Sequence, residues 1–397
     1  MLKGKKIILG ISASISAYKS IFLLRLLKKE GAEVRVVMTK SATDFVSPLV
    51  LSTLSEHPVW IEFHENGVWN NHVELGLWAD VFLIAPATCL TLSKLANGFC
   101  DNILVATYLS ARCPILLAPA MDEDMFKHAS TQQNLQKLRE YGNEIIQPAV
   151  GFLASGLIGE GRLAEPEDIL KYVIVRLNKS TEWEGKRVLI NAGPTQEDMD
   201  PVRFISNHSS GKMGIALAEA AFMRGAEVQL VLGPTPLKPM YEQIEVVPVR
   251  SGQEMYQEML SRFEEADLVI AAAAVADYRP QEIVSQKIKK KTDDWSLGLV
   301  KNVDILMELS KRKSHQKLVG FALETNDEVF HAKQKMEAKK LDAIVMNSLQ
   351  TQGAGFGGDT NEVVVFCKNG NEKRLGLSTK NKIAEAILEY LKKEIGV

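Results

Sequence analysis

Apolar residues along the chain fall into short continuous runs, separated by longer stretches in which they recur at helical spacing. A short apolar run bounded by turn residues reads as a strand covered on both faces, and the periodic stretches read as amphipathic helices. In the first half this pattern predicts strands over 6–11, 34–38, 81–85, 115–118 and 144–146, with helices between them, notably over 18–30 and 130–141. In the second half it predicts strands over 188–191, 228–232, 245–249, 268–272, 318–321 and 343–346. Ser251-Gly252-Gln253-Glu254 has the spacing of a capping box for the helix that follows it. Near the end, strands over 363–366 and 373–375 flank Asn369-Gly370, a hairpin signal, and Ser378 is placed to cap a closing helix.

Two of these stretches echo each other. Gly4-Lys5-Lys6-Ile7-Ile8-Leu9 returns as Gly185-Lys186-Arg187-Val188-Leu189-Ile190, and Gly31-Ala32-Glu33-Val34 returns as Gly225-Ala226-Glu227-Val228. Each pair is a first strand, a crossover helix, a glycine that ends the helix and a second strand, which opens a doubly wound fold. The chain is therefore expected to be α/β, with two doubly wound parallel-sheet domains. Gly4 to Gly31 spans 27 residues, whereas Gly185 to Gly225 spans 40. The excess lies in 191–214, a polar stretch rich in Gly, Ser and Asn at the carboxyl edge of a parallel sheet, where open α/β folds bind ligands. At its end Ser209, Ser210, Gly211 and Lys212 open a helix, and free backbone N–H groups with two hydroxyls and a cation make an anion site. Asn178-Lys179-Ser180-Thr181-Glu182-Trp183-Glu184 is a polar bridge, so the domains are placed at 1–180 and 183–397.

Composition narrows the class. A net charge of −2 with 46% hydrophobic residues over 397 residues describes an ordinary globular chain and argues against a nucleic-acid partner. No apolar run approaches the ~20 residues that span a bilayer, and Met1-Leu2-Lys3-Gly4 leads straight into a strand. A cytoplasmic location without a membrane partner is the expectation. Cys89, Cys100, Cys113 and Cys367 show no CxxC spacing, which argues against structural disulfides and structural zinc.

Gly10-Ile11-Ser12-Ala13-Ser14-Ile15-Ser16 sits where a dinucleotide fold carries G-x-G-x-x-G, with serines in place of the later glycines. A pyrophosphate needs glycine for close backbone approach, whereas hydroxyls at a helix start suit one terminal phosphate. FMN fits such a loop better than NAD, and simple serine capping is the other reading of the same residues. Together with this loop, His72-Val73-Glu74-Leu75, Ala85-Pro86-Ala87-Thr88 and Ala118-Pro119-Ala120-Met121-Asp122 resemble the flavin-dependent cysteine decarboxylases. The resemblance implies a flavodoxin-like domain holding FMN near Gly10, Ser12, Ser14, Thr39, Ala87 and Thr88, with His72 as the base. It also implies that the stretch 119–125 grips the substrate carboxylate.

Two candidate catalytic positions depart from that family. Asp122 stands where it carries Asn, and Ser155, in Ala154-Ser155-Gly156-Leu157, stands where it carries a proton-donating Cys. An ionised Asp122 about 4 Å from a substrate carboxylate would be repelled by roughly 4 kcal/mol at an effective dielectric near 20. Either Asp122 acts as a hydrogen-bond donor or the carboxylate sits differently. Cys89 is the cysteine that the sequence places beside the flavin.

In the second half, the stretch 191–214, Ala271-Ala272-Ala273-Ala274-Val275-Ala276-Asp277 and Lys287-Ile288-Lys289-Lys290-Lys291 resemble the phosphopantothenate-cysteine ligases. Lys301-Asn302-Val303-Asp304-Ile305, Gly320-Phe321-Ala322-Leu323-Glu324-Thr325 and 333–340 extend the match. Nearly the whole chain thus resembles the bifunctional decarboxylase–ligases of coenzyme A biosynthesis. This implies a Rossmann-like ligase domain that joins 4'-phosphopantothenate to cysteine through an acyl-cytidylate made from CTP. Asn207 would hold the acyl-cytidylate and Lys287 would act on the triphosphate. Ala271, Ala272, Ala273, Asp277, Val303, Asp304, Ile305, Leu306, Phe321, Lys335 and Lys339 would line the CTP site with Lys287. Mg²⁺ is expected on the phosphates, since it binds through substrate oxygens and few carboxylates; the sequence identifies no metal ligand. The resemblance implies a homo-oligomer, trimeric through the first half and dimeric through the second. The competing expectation is an active ligase fused to a flavin-binding assembly module, with Asp122 and Ser155 marking lost decarboxylase activity. A dehydrogenase with two dinucleotide domains is disfavoured, because neither first loop carries the fingerprint.

Overall fold

The computed structural model describes residues 1–65, 67–288, 296–324, 328–348 and 358–397. The chain divides into two compact units, Met1–Asn178 and Lys179–Val397. In the first, a parallel sheet runs in the spatial order Val59–Trp60, Glu33–Met38, Lys6–Ile11, Val81–Ala87, Ile115–Pro119 and Glu144–Ile145. Ile7, Ile8 and Leu9 and the residues Val81, Phe82, Leu83 and Ile84 beside them are wholly buried, as strands covered on both faces must be. The winding reverses between Lys6–Ile11 and Val81–Ala87, and a ligand crevice opens outside the carboxyl ends of the two strands at such a reversal.

The second unit repeats the plan. Its sheet runs Glu245–Pro248, Glu227–Leu232, Arg187–Ala192, Leu268–Ala271, Lys317–Glu324 and Ala343–Ser348, all parallel. The antiparallel hairpin Thr360–Cys367 and Glu372–Thr379 then closes one edge. Asn369-Gly370 forms its turn, with Gly370 at φ +90° and its N–H donating to the Cys367 carbonyl at 3.0 Å. Ser378 is part of that strand and caps nothing; the closing helix Lys380–Ile395 has Thr379 as its N-cap. The strand runs on beyond 375 through its pairing with Thr360–Cys367, in which Ser378 faces Asn361 across a bulge. At Ser251 half of the expected box forms. Its hydroxyl accepts the Glu254 N–H at 3.2 Å, while the Glu254 carboxylate takes the Arg250 N–H instead.

The polar bridge is anchored to the second unit. Ser180 donates its N–H to the Met223 carbonyl at 2.8 Å, and Trp183 is 1% exposed with its N–H on the Arg224 carbonyl at 2.7 Å. Short antiparallel pairs lie outside the main sheets: His64–Glu65 with Val68–Trp69, Ala149–Phe152 with Ile158–Arg162, Gln196–Asp198 with Phe204–Ser206, and Tyr278–Pro280 with Leu299–Lys301. None shows in the apolar pattern, because each strand is five residues or fewer. Among the described residues no helix is long and apolar enough to cross a membrane, and no group of three His, Cys, Asp or Glu side chains is placed to hold a metal. The four cysteines are free thiols.

Candidate active sites

At the crevice of the first sheet, Ser12 ties the two strand ends together. Its hydroxyl donates to the Pro86 carbonyl at 2.8 Å, accepts the Thr88 N–H at 3.0 Å and lies 3.2 Å from Thr88 Oγ1. Ser14 caps the short helix Ile15–Tyr18 by accepting the Ser16 N–H, so the capping reading of the serines describes this residue. Gly10 is small for a packing reason, since a Cβ there would meet the Phe82 ring at 2.9 Å. Ala87 is buried beside them, and its carbonyl accepts the Ala120 N–H at 3.1 Å. Cys89 follows at the start of the helix Cys89–Asn97, its sulfur 3.5 Å from Thr131 Oγ1.

Thr39 Oγ1, at the carboxyl edge beside Ile11, and His72 Nδ1 are among the buried polar atoms that have no hydrogen-bond partner in the described residues. An unmade bond at a buried polar atom costs about 1–3 kcal/mol, so both atoms fit a group that supplies a partner, as FMN does. His72 opens the helix His72–Trp78, and the rings of Phe63 and Trp69 meet its imidazole edge-on at 6.0 and 5.8 Å. Neither aromatic stood out in the sequence, because each sits in a short irregular stretch.

A cavity of about 340 Å³ lies beside the crevice, lined among others by Ser14, Ser16, Lys19, Met121, Asp122, Phe152 and Arg162. Asp122 thus shares its space with two cations. Lys19 is 5% exposed and donates to the Leu163 carbonyl at 3.1 Å and to Glu165 at 2.9 Å, and Arg162 reaches the same Glu165 oxygen at 2.8 Å. Lys19 carries no signal in the sequence, since a lysine near a helix start looks like a solvated one. His72 and Ser155 do not line this cavity, and Ser155 is exposed on the turn of the Ala149–Phe152/Ile158–Arg162 pair.

In the second unit, a pocket of about 170 Å³ lies at the corresponding crevice. Ala271, Ala273, Asp277, Val303, Asp304, Ile305, Leu306, Phe321, Lys335 and Lys339 line it, joined by Asn191, Val275, Ala276, Lys301 and Asn302, which sequence reading had not assigned. Ala272 and Lys287 are outside the lining; Lys289, Lys290, Lys291 and Thr325 lie outside the described residues. Asn191 Oδ1 accepts the Ala273 N–H at 2.9 Å and so fixes the small-residue wall. Asp304 caps the helix Ile305–Arg312 and holds Lys339 Nζ at 2.7 Å, while Lys335 donates to the Phe321 carbonyl at 2.9 Å. Burial pushes the Asp304 carboxyl up, but the Lys339 ammonium, the Met307 N–H and the charge of Lys335 outweigh it and hold the group below the usual carboxylate range.

Asn207 is tethered to the same wall, its Nδ2 donating to the Ala274 carbonyl at 2.9 Å. Beyond it the helix Lys212–Met223 starts with Gly211 at φ +79°, and Lys212 pairs with Asp359 at 2.6 Å. Gly214 lets this helix lie against the strand end, because a Cβ there would come within 2.4 Å of the Ala192 Cβ.

Two doubly wound sheets, each with a polar crevice at its winding reversal and the first with orphaned groups suited to a flavin, define a double α/β flavoprotein. Residues 1–178 match the family Flavoprotein, and residues 183–395 match the DNA/pantothenate metabolism flavoprotein C-terminal domain. The chain is 42% identical over 395 residues to the Coenzyme A biosynthesis bifunctional protein CoaBC of Bacillus subtilis (strain 168), covering 98% of this chain and 97% of the relative. It is also 51% identical over 353 residues to a Cysteine/Cysteine sulfinic acid decarboxylase from an unknown prokaryotic organism, covering 87% of this chain and 98% of that one. A crystal structure of the C-terminal domain of a CoaBC protein aligns with 54% of this chain and 98% of its own at 40% identity, with a TM-score of 0.47. The chain belongs to the CoaBC family of bifunctional coenzyme A biosynthesis proteins.

Proposed function

We propose that this chain joins cysteine to 4'-phosphopantothenate at the expense of CTP and decarboxylates the product to 4'-phosphopantetheine with FMN. What carries the reading is the pocket of the second unit, where ten of the twelve residues expected at the nucleotide meet and Asn207 is bound to the rim. The substrate carboxylate attacks the α-phosphorus of CTP and pyrophosphate leaves. The cysteine amine then attacks the acyl carbon of the acyl-cytidylate and CMP leaves. Both steps gather negative charge, which preorganised cations stabilise. Lys335 and Lys339 are held at the mouth by the Phe321 carbonyl and by Asp304. Lys287 takes the triphosphate, and the N-terminus of Lys212–Met223 offers N–H groups to an anionic end of the substrate. Mg²⁺ carried in on the substrate phosphates would add to this charge neutralisation.

In the first unit FMN, when bound, supplies the redox chemistry that labilises the substrate carboxylate. Thr39 and His72 would offer it their unpartnered atoms, with Phe63 and Trp69 packed against the imidazole, and Asp122, Lys19 and Arg162 would receive the polar end of the substrate. Exposed Ile15, Tyr18, Phe22 and Leu49 fit burial in a homo-oligomer, which we take as trimeric through this unit and dimeric through the second.

The relative named for cysteine and cysteine sulfinic acid favours a second reading of the first unit alone, in which free amino acids are decarboxylated. Purified protein is to be given 4'-phosphopantothenate, cysteine and CTP, with the amide and its decarboxylated product followed by mass. In separate tubes it receives 4'-phosphopantothenoylcysteine, cysteine or cysteine sulfinate without CTP. Absence of the amide sinks the main reading, and carbon dioxide from the free amino acids alone favours the second.

A further inference from the structure

Resting on that reading of the second unit, we infer that Asp200 and Arg203 are positioning residues for Lys287, which they hold by gripping the main chain of the residue after it. Both lie at the tip of the pair Gln196–Asp198/Phe204–Ser206. The Asp200 side chain has no exposed surface. Its Oδ1 accepts the N–H groups of Val202 and Arg203 at 2.8 and 2.9 Å, which is all that closing the turn requires. Its other oxygen reaches outward. Oδ2 accepts Arg203 Nε at 3.0 Å, Arg203 Nη2 at 2.6 Å and the Ile288 N–H at 3.1 Å. Arg203 Nη2 also donates to the Ile288 carbonyl at 2.8 Å, so both polar groups of Ile288 are held by one ion pair. A third bond, from the Val284 N–H to the Met199 carbonyl at 3.2 Å, fixes the strand of chain that leads in.

A carboxylate is tolerated without water only when donors satisfy it, and taking one partner away from such a group is costly. The grip therefore gives the segment a firm root. The side chain it roots needs one, because Lys287 is exposed and a lysine has a long flexible stem. The other end of the same hairpin runs through Ser206, whose hydroxyl donates to the Thr195 carbonyl at 2.7 Å, into Asn207 on the pocket wall. One rigid element thus sets the separation between the amide and the root of the lysine.

The test measures pyrophosphate release by the full-length protein with 4'-phosphopantothenate and CTP. The variants are Arg203→Lys, Asp200→Asn, Lys287→Ala and Lys287→Arg, with each of the first two also combined with Lys287→Arg. Arg203→Lys keeps a cation beside Asp200 but loses the fork, and it carries the test if Asp200→Asn does not fold. A misplacement of about 1 Å costs on the order of 10²-fold in rate, so kcat for pyrophosphate release is expected to fall by about that factor, with the KM for CTP changed less. On the Lys287→Arg background the same substitutions are expected to add little, since they act through the side chain already altered. Wild-type rates in the Asp200 and Arg203 variants, or losses that multiply with Lys287→Arg, overturn the inference while leaving the ligase reading intact. Undiminished pyrophosphate release by Lys287→Ala removes the role given to Lys287, and the inference falls with it.

Discussion

At the scale of single residues, the two ligase side chains are separable by what accumulates. Asn207→Ala is expected to go on consuming CTP, with the acyl-cytidylate lost to water and amide yield down by about 10²–10³-fold, the usual cost of removing one stabilising donor. Lys287→Ala is expected to stop CTP consumption itself. Equal consumption by both variants counts against the roles given to them. Asp122 carries more risk. With Lys19 and Arg162 in the same cavity, the acid does not face a substrate anion alone, and decarboxylation of 4'-phosphopantothenoylcysteine is expected despite Ser155. If Asp122 gives the final proton, Asp122→Asn lowers product formation by about 10²–10⁴-fold, while the carbon dioxide of a first turnover is still released; an unchanged rate of product formation excludes it as donor. Residue type and motif made Asp304 and Lys339 legible as members of one site, and both line the same pocket. Their pairing, and the use of Asp304 as a helix cap, came from contacts across 35 positions of sequence that no local pattern encodes.

At the scale of elements, long apolar runs made both main sheets readable, because strands buried on both faces carry their own signal. Val59–Trp60 and the outlying antiparallel pairs were not readable, since two to five residues give no period and tertiary contacts hold them in place. The hairpin tip at Asp200 is expected to be acid-sensitive. Burial pushes its carboxyl up, yet the Arg203 guanidinium and the N–H groups of Ile288, Val202 and Arg203 outweigh that and hold it far below the usual carboxylate range. A carboxyl depressed in the folded state contributes stability that is complete above the unfolded value of about 3.9 and is lost as pH falls from there toward the folded value. The thermal stability of the second unit is therefore expected to fall below about pH 4. The Asp200→Asn variant should start less stable and show a flatter acid limb; an equally steep limb in the variant assigns the sensitivity to other carboxyls.

At the scale of the whole molecule, the repeated Gly-Lys and Gly-Ala-Glu-Val stretches announced two copies of one winding plan, and both sheets carry it through six parallel strands. Composition did not announce that the polar bridge holds a core residue. A protein beginning at Lys179 is expected to keep the stability of the second unit, whereas one beginning at Glu184 loses Trp183 and with it about 3–5 kcal/mol, as for other buried aromatics. Melting temperatures of the two fragments check this, and equal values would show that Trp183 anchors nothing. The hairpin present only in the second copy has a further consequence. It acts as a gauge between an amide and a lysine, and paired strands can be lengthened only in whole steps. One added residue on each arm moves the tip by about 3.4 Å and turns its side chains to the opposite face. Only a doubled step restores the facing, by which time the lysine root has moved by nearly 7 Å. The distance between the two chemical groups therefore has no fine adjustment, and point substitutions at the pocket are left as the means by which such an enzyme can be retuned.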